Sequence, residues 1–408
     1  METTTRPDAA ASAEERLLQE ALGDELAGPL RVISREPLGA GSLTGIEELA
    51  PQPRHWYVDT SRRAVPEETG LVLGDPAAPE ARIWLHPADP RLPALAPVLF
   101  PEPAAALMAR LGVAIDRAPE LLVYRAGKRA MLRMRAEGRE TYLKVVRPSR
   151  AAAIVGLHES LRAGGVPVPV VTGWSPLGIV LTEAAAGEPL PARVQDADPA
   201  ALLDAVERLR TAIASVGTDR RARASLADRH EWYRERLAQA LERARAAGVA
   251  SVAVDAVAAP LAALERAIDA APAAAVMVPA EALRTVHGDL HIGQLFVEAD
   301  DPSALSGVID VDTAGLGDPV DDAAALLGHL AASIALADGD AARAAGLRRL
   351  LDAGVERWLA PDAPDAPRLA HRLAVHVIAH ALGPLERGDA RAAAATLEAG
   401  AEALRLPR

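Results

Sequence analysis

"HGDLHIGQLF", His287 to Phe296, is the stretch on which the reading of this chain turns. His287, Asp289, His291 and Gln294 crowd four polar side chains into eight residues between apolar flanks. In a chain rich in Ala, Leu and Val, such crowding is either a polar turn or a place where a reaction happens. The neighbours "RTVHGD" and "LFVEA" read as short strands, so the polar residues fall on the loop between them. A second segment, "VIDVDTAGLGDP" (Val308 to Pro319), puts Asp310 at the end of another strand. A third, "YLKVVRP" (Tyr142 to Pro148), puts Lys144 within a strand.

Lys144 is informative because lysine is scarce. Of 44 basic residues only Lys128 and Lys144 are lysine, and asparagine is absent. A coding bias that replaces Lys by Arg wherever function allows leaves the surviving lysines in need of a reason. An ammonium is a compact point charge on a flexible stem, and a guanidinium does not stand in for it where one cation must reach one site.

Composition sets the outer limits. At 408 residues, half of them hydrophobic, the chain can bury the core of two domains or one large bilobal unit. Cysteine is absent, which excludes disulfides, thiolate metal sites and cysteine nucleophiles. The N-terminal residues lack a basic stretch followed by an apolar one, so no secretory signal is expected. No apolar run reaches the roughly 20 residues that span a bilayer. A cytoplasmic protein with no membrane and no protein partner is therefore expected. The net charge of −12 disfavours binding nucleic acid through phosphate neutralisation. It favours either plain solubility or a cationic small molecule.

Together, the three segments resemble the aminoglycoside phosphotransferase and choline kinase-like superfamily, which shares its fold with protein kinases. That family's loop reads HGDxHxxN and its metal segment IDxxxAxxGDPxxDLA. The resemblance covers about residues 119–390. It implies a kinase using ATP and Mg²⁺ on a small-molecule hydroxyl acceptor. By resemblance Lys144 would pair the α- and β-phosphates, Asp289 would take or orient the acceptor's hydroxyl proton, and Gln294 and Asp310 would hold Mg²⁺. Phosphoryl transfer asks for just this: clamped phosphates, neutralised charge and a positioned oxygen. The expected acceptor is an aminoglycoside or amino sugar. A neutral-sugar, maltokinase-like kinase is the alternative, and a regulatory pseudokinase or a metallohydrolase built on His287, Asp289, His291 and Asp310 are readings of other classes.

Two departures stand out. The family's Asn is Gln294 here, which reflects either the absence of asparagine or the HGDxHxGQ variant of the maltokinase-like branch. Gly293 is expected to lend this loop conformational freedom. The phosphate loop is also poor in glycine: "YRAGKRA" has Gly127 among Arg125, Lys128 and Arg129. Arg125, Gly127 and Lys128 are either a phosphate clamp or a basic turn in solvent.

Other candidates are weaker. Glu159 is the one acid in the helix after Lys144 and the candidate partner for it, although it lies off the apolar stripe of Ile154, Leu157 and Leu161. Glu183 to Ala185 occupy the place of an interlobe hinge, where backbone groups would read adenine. Asp312, Asp321 and Asp322 are possible walls of an acceptor site, or a second Mg²⁺ shell and helix N-terminal charges. His287 and His291 are expected to fix the loop by hydrogen bonds. Asp318-Pro319 reads as a helix cap followed by proline at the first helical position, and His376 and His380 as packing.

The expected architecture is α+β, bilobal and protein-kinase-like: an extension at 1–118, a strand-rich N-lobe at 119–185 and a helical C-lobe at 186–408. Residues 1–28 read as an amphipathic helix, and "LRVIS", "HWYVDT", "GLVLG" and "RIWLH" as strands. Long helices are expected at 197–216, 218–247 and 251–270, and again beyond Val320. "PLGAGSLTG" (Pro37 to Gly45) imitates a dinucleotide fingerprint, but Pro51 follows too soon for the helix that fingerprint needs. It reads as a structural turn.

Overall fold

The computed structural model describes residues 11–65, 70–246, 248, 254–271, 277–337 and 339–404. The chain divides into two compact units, Met1–Gly156 with Val170–Ala184, and Leu157–Pro169 with Ala185–Arg408. The first is strand-rich and the second mainly helical, so the α+β class is as expected.

The first unit opens with helix α1 (Ala13–Leu22), capped by a reciprocal Ser12–Glu15 box. The first ten residues of the expected 1–28 helix lie outside the described residues. A five-stranded antiparallel sheet follows: β1 (Leu30–Leu38), β2 (Gly41–Glu48), β3 (Arg54–Asp59), β4 (Leu71–Asp75) and β5 (Ala78–Leu85), in the order β1-β2-β3-β5-β4. Leu18 of α1 packs on Ile46, Trp56, Val58 and Ile83. The fingerprint look-alike is the turn between β1 and β2, where Gly39 takes a positive φ of 56°. Glycines 41 and 45 hid β2 from a propensity reading, yet its burial pattern is that of a central strand.

Helices α2 (Leu95–Leu99) and α3 (Pro101–Arg110) lead to a second sheet. It is built from β6 (Glu120–Arg125), β7 (Arg129–Ala136) and β8 (Arg139–Val146), then helix α4 (Pro148–Ala163), then β9 (Val171–Ser175) and β10 (Ile179–Glu183). The order is β6-β7-β8-β10-β9, all antiparallel. The turns at Ala126-Gly127 and Glu137-Gly138 fall where expected, and each carries a positive-φ glycine. Alternation does the sorting. Ala130, Leu132 and Met134 of β7 join Leu143, Val145, Ile179 and Leu181 in one core. Lys144, between Leu143 and Val145, therefore stands on the opposite face, paired in register with Met131 and Val180.

A buried carboxylate just after β5 is bonded to the second sheet. Asp89 accepts the N–H of Gly127 at 2.6 Å and the hydroxyl of Tyr124 at 2.8 Å, both on the β6–β7 hairpin. Burial pushes the Asp89 carboxyl up, and the donors around it oppose that shift.

The second unit contains β11 (Glu188–Pro189), helices α5 (Pro199–Ser215), α6 (His230–Ala246) and α7 (Ala258–Asp269), and β12 (Arg284–Val286). Then come β13 (Leu295–Val297), β14 (Leu305–Val308), β15 (Gly315–Gly317) and helices α8 (Asp321–Leu336), α9 (Ala341–Trp358), α10 (Ala366–Glu386) and α11 (Ala390–Ala403). One large apolar core joins these helices to the short strands. The expected helix at 218–247 begins only at His230, after a 3₁₀ turn at Leu226–Arg229. Residues 220–223 instead run beside β15: Leu316 donates its N–H to Arg220, and Ala222 donates back to Leu316. Tertiary pairing overrides the helical propensity of that Arg/Ala-rich stretch. The expected 251–270 helix is seen as α7, its start lying outside the described residues. No helix among the described residues is long and apolar enough to cross a membrane.

Asp89→Ala strands two buried donors, and should lower unfolding stability by about 3 kcal/mol, against about 1 kcal/mol for Asp89→Asn, which keeps one acceptor. Chemical denaturation measures both. Equal stability of the alanine variant and the native chain would mean that Gly127 and Tyr124 find other partners.

Candidate active site

Two short antiparallel pairs build the site. β12 pairs with β15, setting Val286 opposite Gly315, and β13 pairs with β14, setting Leu295 opposite Val308. His287 thus leaves β12 as Gln294 enters β13, while Asp310 lies just beyond β14. Ile309 donates its N–H to the Gln294 carbonyl at 3.0 Å, so the ladder carries Gln294 and Asp310 toward each other.

The loop between them is clamped from below. Asp322, in the first turn of α8, is only 2% exposed. Its two oxygens accept the N–H groups of His287 at 2.8 Å and Gly288 at 2.9 Å. Asp322 is thus a strut under the loop, which corrects its assignment to an acceptor wall. Gly288 has a φ of +80°, and a Cβ there would come within 2.7 Å of the Thr313 carbonyl. Thr313 donates its hydroxyl to the His287 carbonyl at 2.8 Å. His287 Nε2 donates to the Ile309 carbonyl at 3.1 Å, and His291 Nδ1 accepts from the Gly293 N–H at 3.1 Å. Both histidines are committed to the loop. Gly293 is needed for a different reason from the one expected: its φ is ordinary, but a Cβ would stand 2.9 Å from the His291 ring.

Asp289 is partly exposed and receives Arg223 Nη1 at 3.1 Å. Gln294 is 4% exposed, and its side-chain Oε1 is buried without a hydrogen-bond partner. Asp310 sits at a φ of 59°, a left-handed conformation rare outside glycine and costly unless its surroundings impose it. Asp312 is buried, and its carbonyl accepts from Arg220. An amide oxygen and a carboxylate are both hard oxygen donors, of the kind Mg²⁺ takes alongside phosphates. Among the described residues no group of three or more His, Asp or Glu is arranged to hold a metal ion.

A cavity of about 500 Å³ opens beside Asp289 and Gly288. Its charged lining is Asp228, Asp289, Asp318 and Asp321 against Arg221, Arg223 and Arg372. Arg372 pairs with Asp321 at 2.6 Å and Asp318 at 2.8 Å, and Arg368 reaches Asp318 at 3.4 Å. The acidic cluster is therefore largely neutralised. Asp318 is not the cap of α8, since it turns back to accept the N–H of Val320 at 3.1 Å. Ser225 donates to Asp321 at 3.0 Å and lies 3.4 Å from His376 Nε2. The serine is hydrogen-bonded to the acid and the histidine is not, so this is no nucleophile–base–acid relay.

Lys144 is 7% exposed. Arg125 and Lys128 both pair with Glu36, near the turn of the β1–β2 hairpin. Gly127 gives its N–H to Asp89, and its carbonyl accepts from Arg147 at 2.8 Å. In the fold these groups hold the β1–β2 hairpin and the Asp89 loop, with Arg125 and Lys128 still partly exposed. Glu159 is exposed on α4, Glu183 is exposed at the end of β10, and the boundary between the two units falls between Ala184 and Ala185. The sequence reading passed over Arg223, Ser225, Asp228 and Arg372. One signal was present: Ser225 and Asp228 form a capping box, which marks a chain turning into a helix only after Arg223.

A row of histidines runs from the loop into the helices. His291 stacks on His329 at 4.2 Å, His329 lies 4.2 Å from His380, and His376 lies 6.3 Å from His380. Burial, then repulsion from a neighbouring charged group (His287 for His291, His291 for His380, His380 for His376 and His329), holds His291 and His380 down to about 4 and His376 to about 3, and depresses His329 as well.

The model of the phosphotransferase enzyme family (APH) matches residues 126–361. No curated protein matches the chain. Among solved structures, it is similar to a thermostable mutant of aminoglycoside phosphotransferase APH(4)-Ia in ternary complex with ADP and hygromycin B. That match has 16% identity and a TM-score of 0.45, and covers 74% of this chain and 98% of that one. Macrolide 2'-phosphotransferase MphH from Brachybacterium faecium matches at 21% identity and a TM-score of 0.39, over 75% of this chain and 98% of that one.

The histidine row makes stability depend on pH. An unfolded histidine takes up its proton near pH 6.5, whereas His376 and His380 in the fold do so only near 3 and 4. Between those values the unfolded state binds more protons, so stability falls as pH falls, by up to about 1.4 kcal/mol per pH unit for each histidine. Asp321, raised to about 7 chiefly by burial, opposes this with one group. The melting temperature should therefore drop between pH 7 and pH 5, and His329→Phe should make the drop shallower. A flat melting profile would show that these rings protonate inside the fold.

Proposed function

Because the chain belongs to the phosphotransferase enzyme family, we propose that it uses MgATP to phosphorylate a hydroxyl of an amino sugar or aminoglycoside. Phosphoryl transfer to an alcohol oxygen is the chemistry of that enzyme class. The observation that carries the acceptor's position is Asp289: a partly exposed carboxylate on a clamped loop, at the wall of a cavity of about 500 Å³. Small-molecule sites occupy roughly 300–1,000 Å³.

In this reading Asp289 accepts the acceptor's O–H proton as that oxygen bonds to the γ-phosphorus. The bond from phosphorus to the bridging oxygen breaks and ADP leaves. Lys144 pairs the α- and β-phosphates. Gln294 and Asp310 would hold Mg²⁺, which when bound supplies positive charge to the phosphate oxygens. The orphaned Oε1 of Gln294 supports that assignment. A neutral-sugar acceptor is the second reading. It is favoured by Arg372 and Arg368, whose pairing with Asp318 and Asp321 leaves little spare negative charge to attract a cation.

An ATP-consumption screen over aminoglycosides, amino sugars, neutral sugars and macrolides tests the acceptor class. An amino sugar should be turned over with a KM that rises with salt, since exposed charges are screened over roughly 8–10 Å at 0.1–0.15 M. A neutral sugar used better, with no salt effect, decides for the second reading. Asp289→Asn should cut turnover by about a hundredfold or more while ATP affinity stays near normal. Collapse of ATP affinity would move Asp289 to the metal's ligands. Gln294→Asn and Gln294→Ala should each raise the Mg²⁺ concentration for half-maximal rate, and three superimposable titration curves would remove Gln294 from the metal.

A further inference from the structure

We propose that Arg223 is the positioning residue for Asp289, fixing the carboxylate toward the acceptor hydroxyl from a segment outside the loop motif; the role rests on the reading of Asp289 given above. The loop from His287 to Gln294 has no lysine or arginine, so it cannot orient its own acid with a cation. Asp322 and Thr313 hold the backbone at His287 and Gly288. The Asp289 side chain is met by Arg223, whose Nη1 lies 3.1 Å from Oδ2.

Half-exposed arginines usually contribute little, because ordering a long side chain offsets the ion pair. Arg223 differs in how its backbone is held. Its own N–H donates to the Thr313 carbonyl at 2.9 Å, while Thr313 Oγ1 donates to the His287 carbonyl at 2.8 Å. A closed circuit results, from the loop through Thr313 to Arg223 and back to Asp289. Ala222 and Leu316 extend the same registration along β15. The three arginines on the cavity wall are not equivalent. Arg372 is engaged by Asp318 and Asp321, whereas Arg223 pairs with Asp289.

Arg223 also lines the cavity. It therefore sets the carboxylate's direction at the place where an acceptor would stand. A displacement of about 1 Å in such a group costs about a hundredfold in rate.

The test is a mutant cycle on the full-length enzyme, read as ADP release from MgATP with the acceptor found in the screen, or with water as acceptor if none is found. Arg223→Ala should lower kcat about tenfold to a hundredfold, leaving the KM for ATP and the melting temperature within error. Arg223→Lys should recover part of the loss. Arg223→Ala added to Asp289→Asn should slow the residual rate no further, because the arginine acts through the acid. A full additional loss in the double variant, or an unchanged kcat in Arg223→Ala, would overturn the role while leaving the Asp289 reading intact. If Asp289→Asn itself retained full activity, the reading of Asp289 would fail and the role of Arg223 with it.

Discussion

The site depends on a carboxylate that never meets solvent. Asp322 gives one oxygen to each of two consecutive backbone N–H groups, so both of its acceptors are used and the turn at Gly288 cannot relax. A buried carboxylate is tolerable only when it is bonded in this way. Its place in the first turn of α8 adds the favourable end of the helix dipole. Since α8 is anchored by Ala324, Leu327 and Leu330 in the main core, the loop inherits the rigidity of the helical unit. Asp289, one residue further on, is therefore delivered by packing and not by the loop's own stiffness.

The strands that frame the loop are only three or four residues long and could slip in register without other restraints. Three bonds prevent this: Thr313 to the His287 carbonyl, His287 to the Ile309 carbonyl, and Ile309 to the Gln294 carbonyl. Each joins a different pair of segments. The left-handed backbone at Asp310 is a strained point of the arrangement, held in place by the ladder just before it. The histidine row extends the same packing inward, filling the helical core with rings in close contact, one pair stacked and one tilted, whose burial disfavours the charged form.

Much of this is readable from local order. The turn signals at Ala126-Gly127 and Glu137-Gly138 mark the hairpins of β6 to β8 and set Lys144 on a strand, and the loop motif marks His287 to Gln294. What escaped was long-range. Arg223 sits in "TDRRARASLADRH", whose composition favours helix, and only its pairing with β15 makes it extended. The basic turn at Arg125 to Lys128 is satisfied by Glu36 and Asp89, far back in the sequence, and no local pattern announces such partners. Asp322 looked like a cavity wall because a first-turn acid is usually solvated. Its role appears only when the chain folds back over it.

The Asp89 bond to the β6–β7 hairpin has an architectural consequence. The turn that carries Gly127 is completed by residues almost forty positions upstream, so the second sheet has no finished surface of its own there. A protein cut to begin at residue 119 would present a bare amide and a phenol where a carboxylate belongs, together with two cations stripped of Glu36. The extension is therefore a constituent part of the strand-rich unit and not an appendage to it. Substitutions in either partner are limited by the chemistry of the other, since each completes hydrogen bonds or ion pairs of the other.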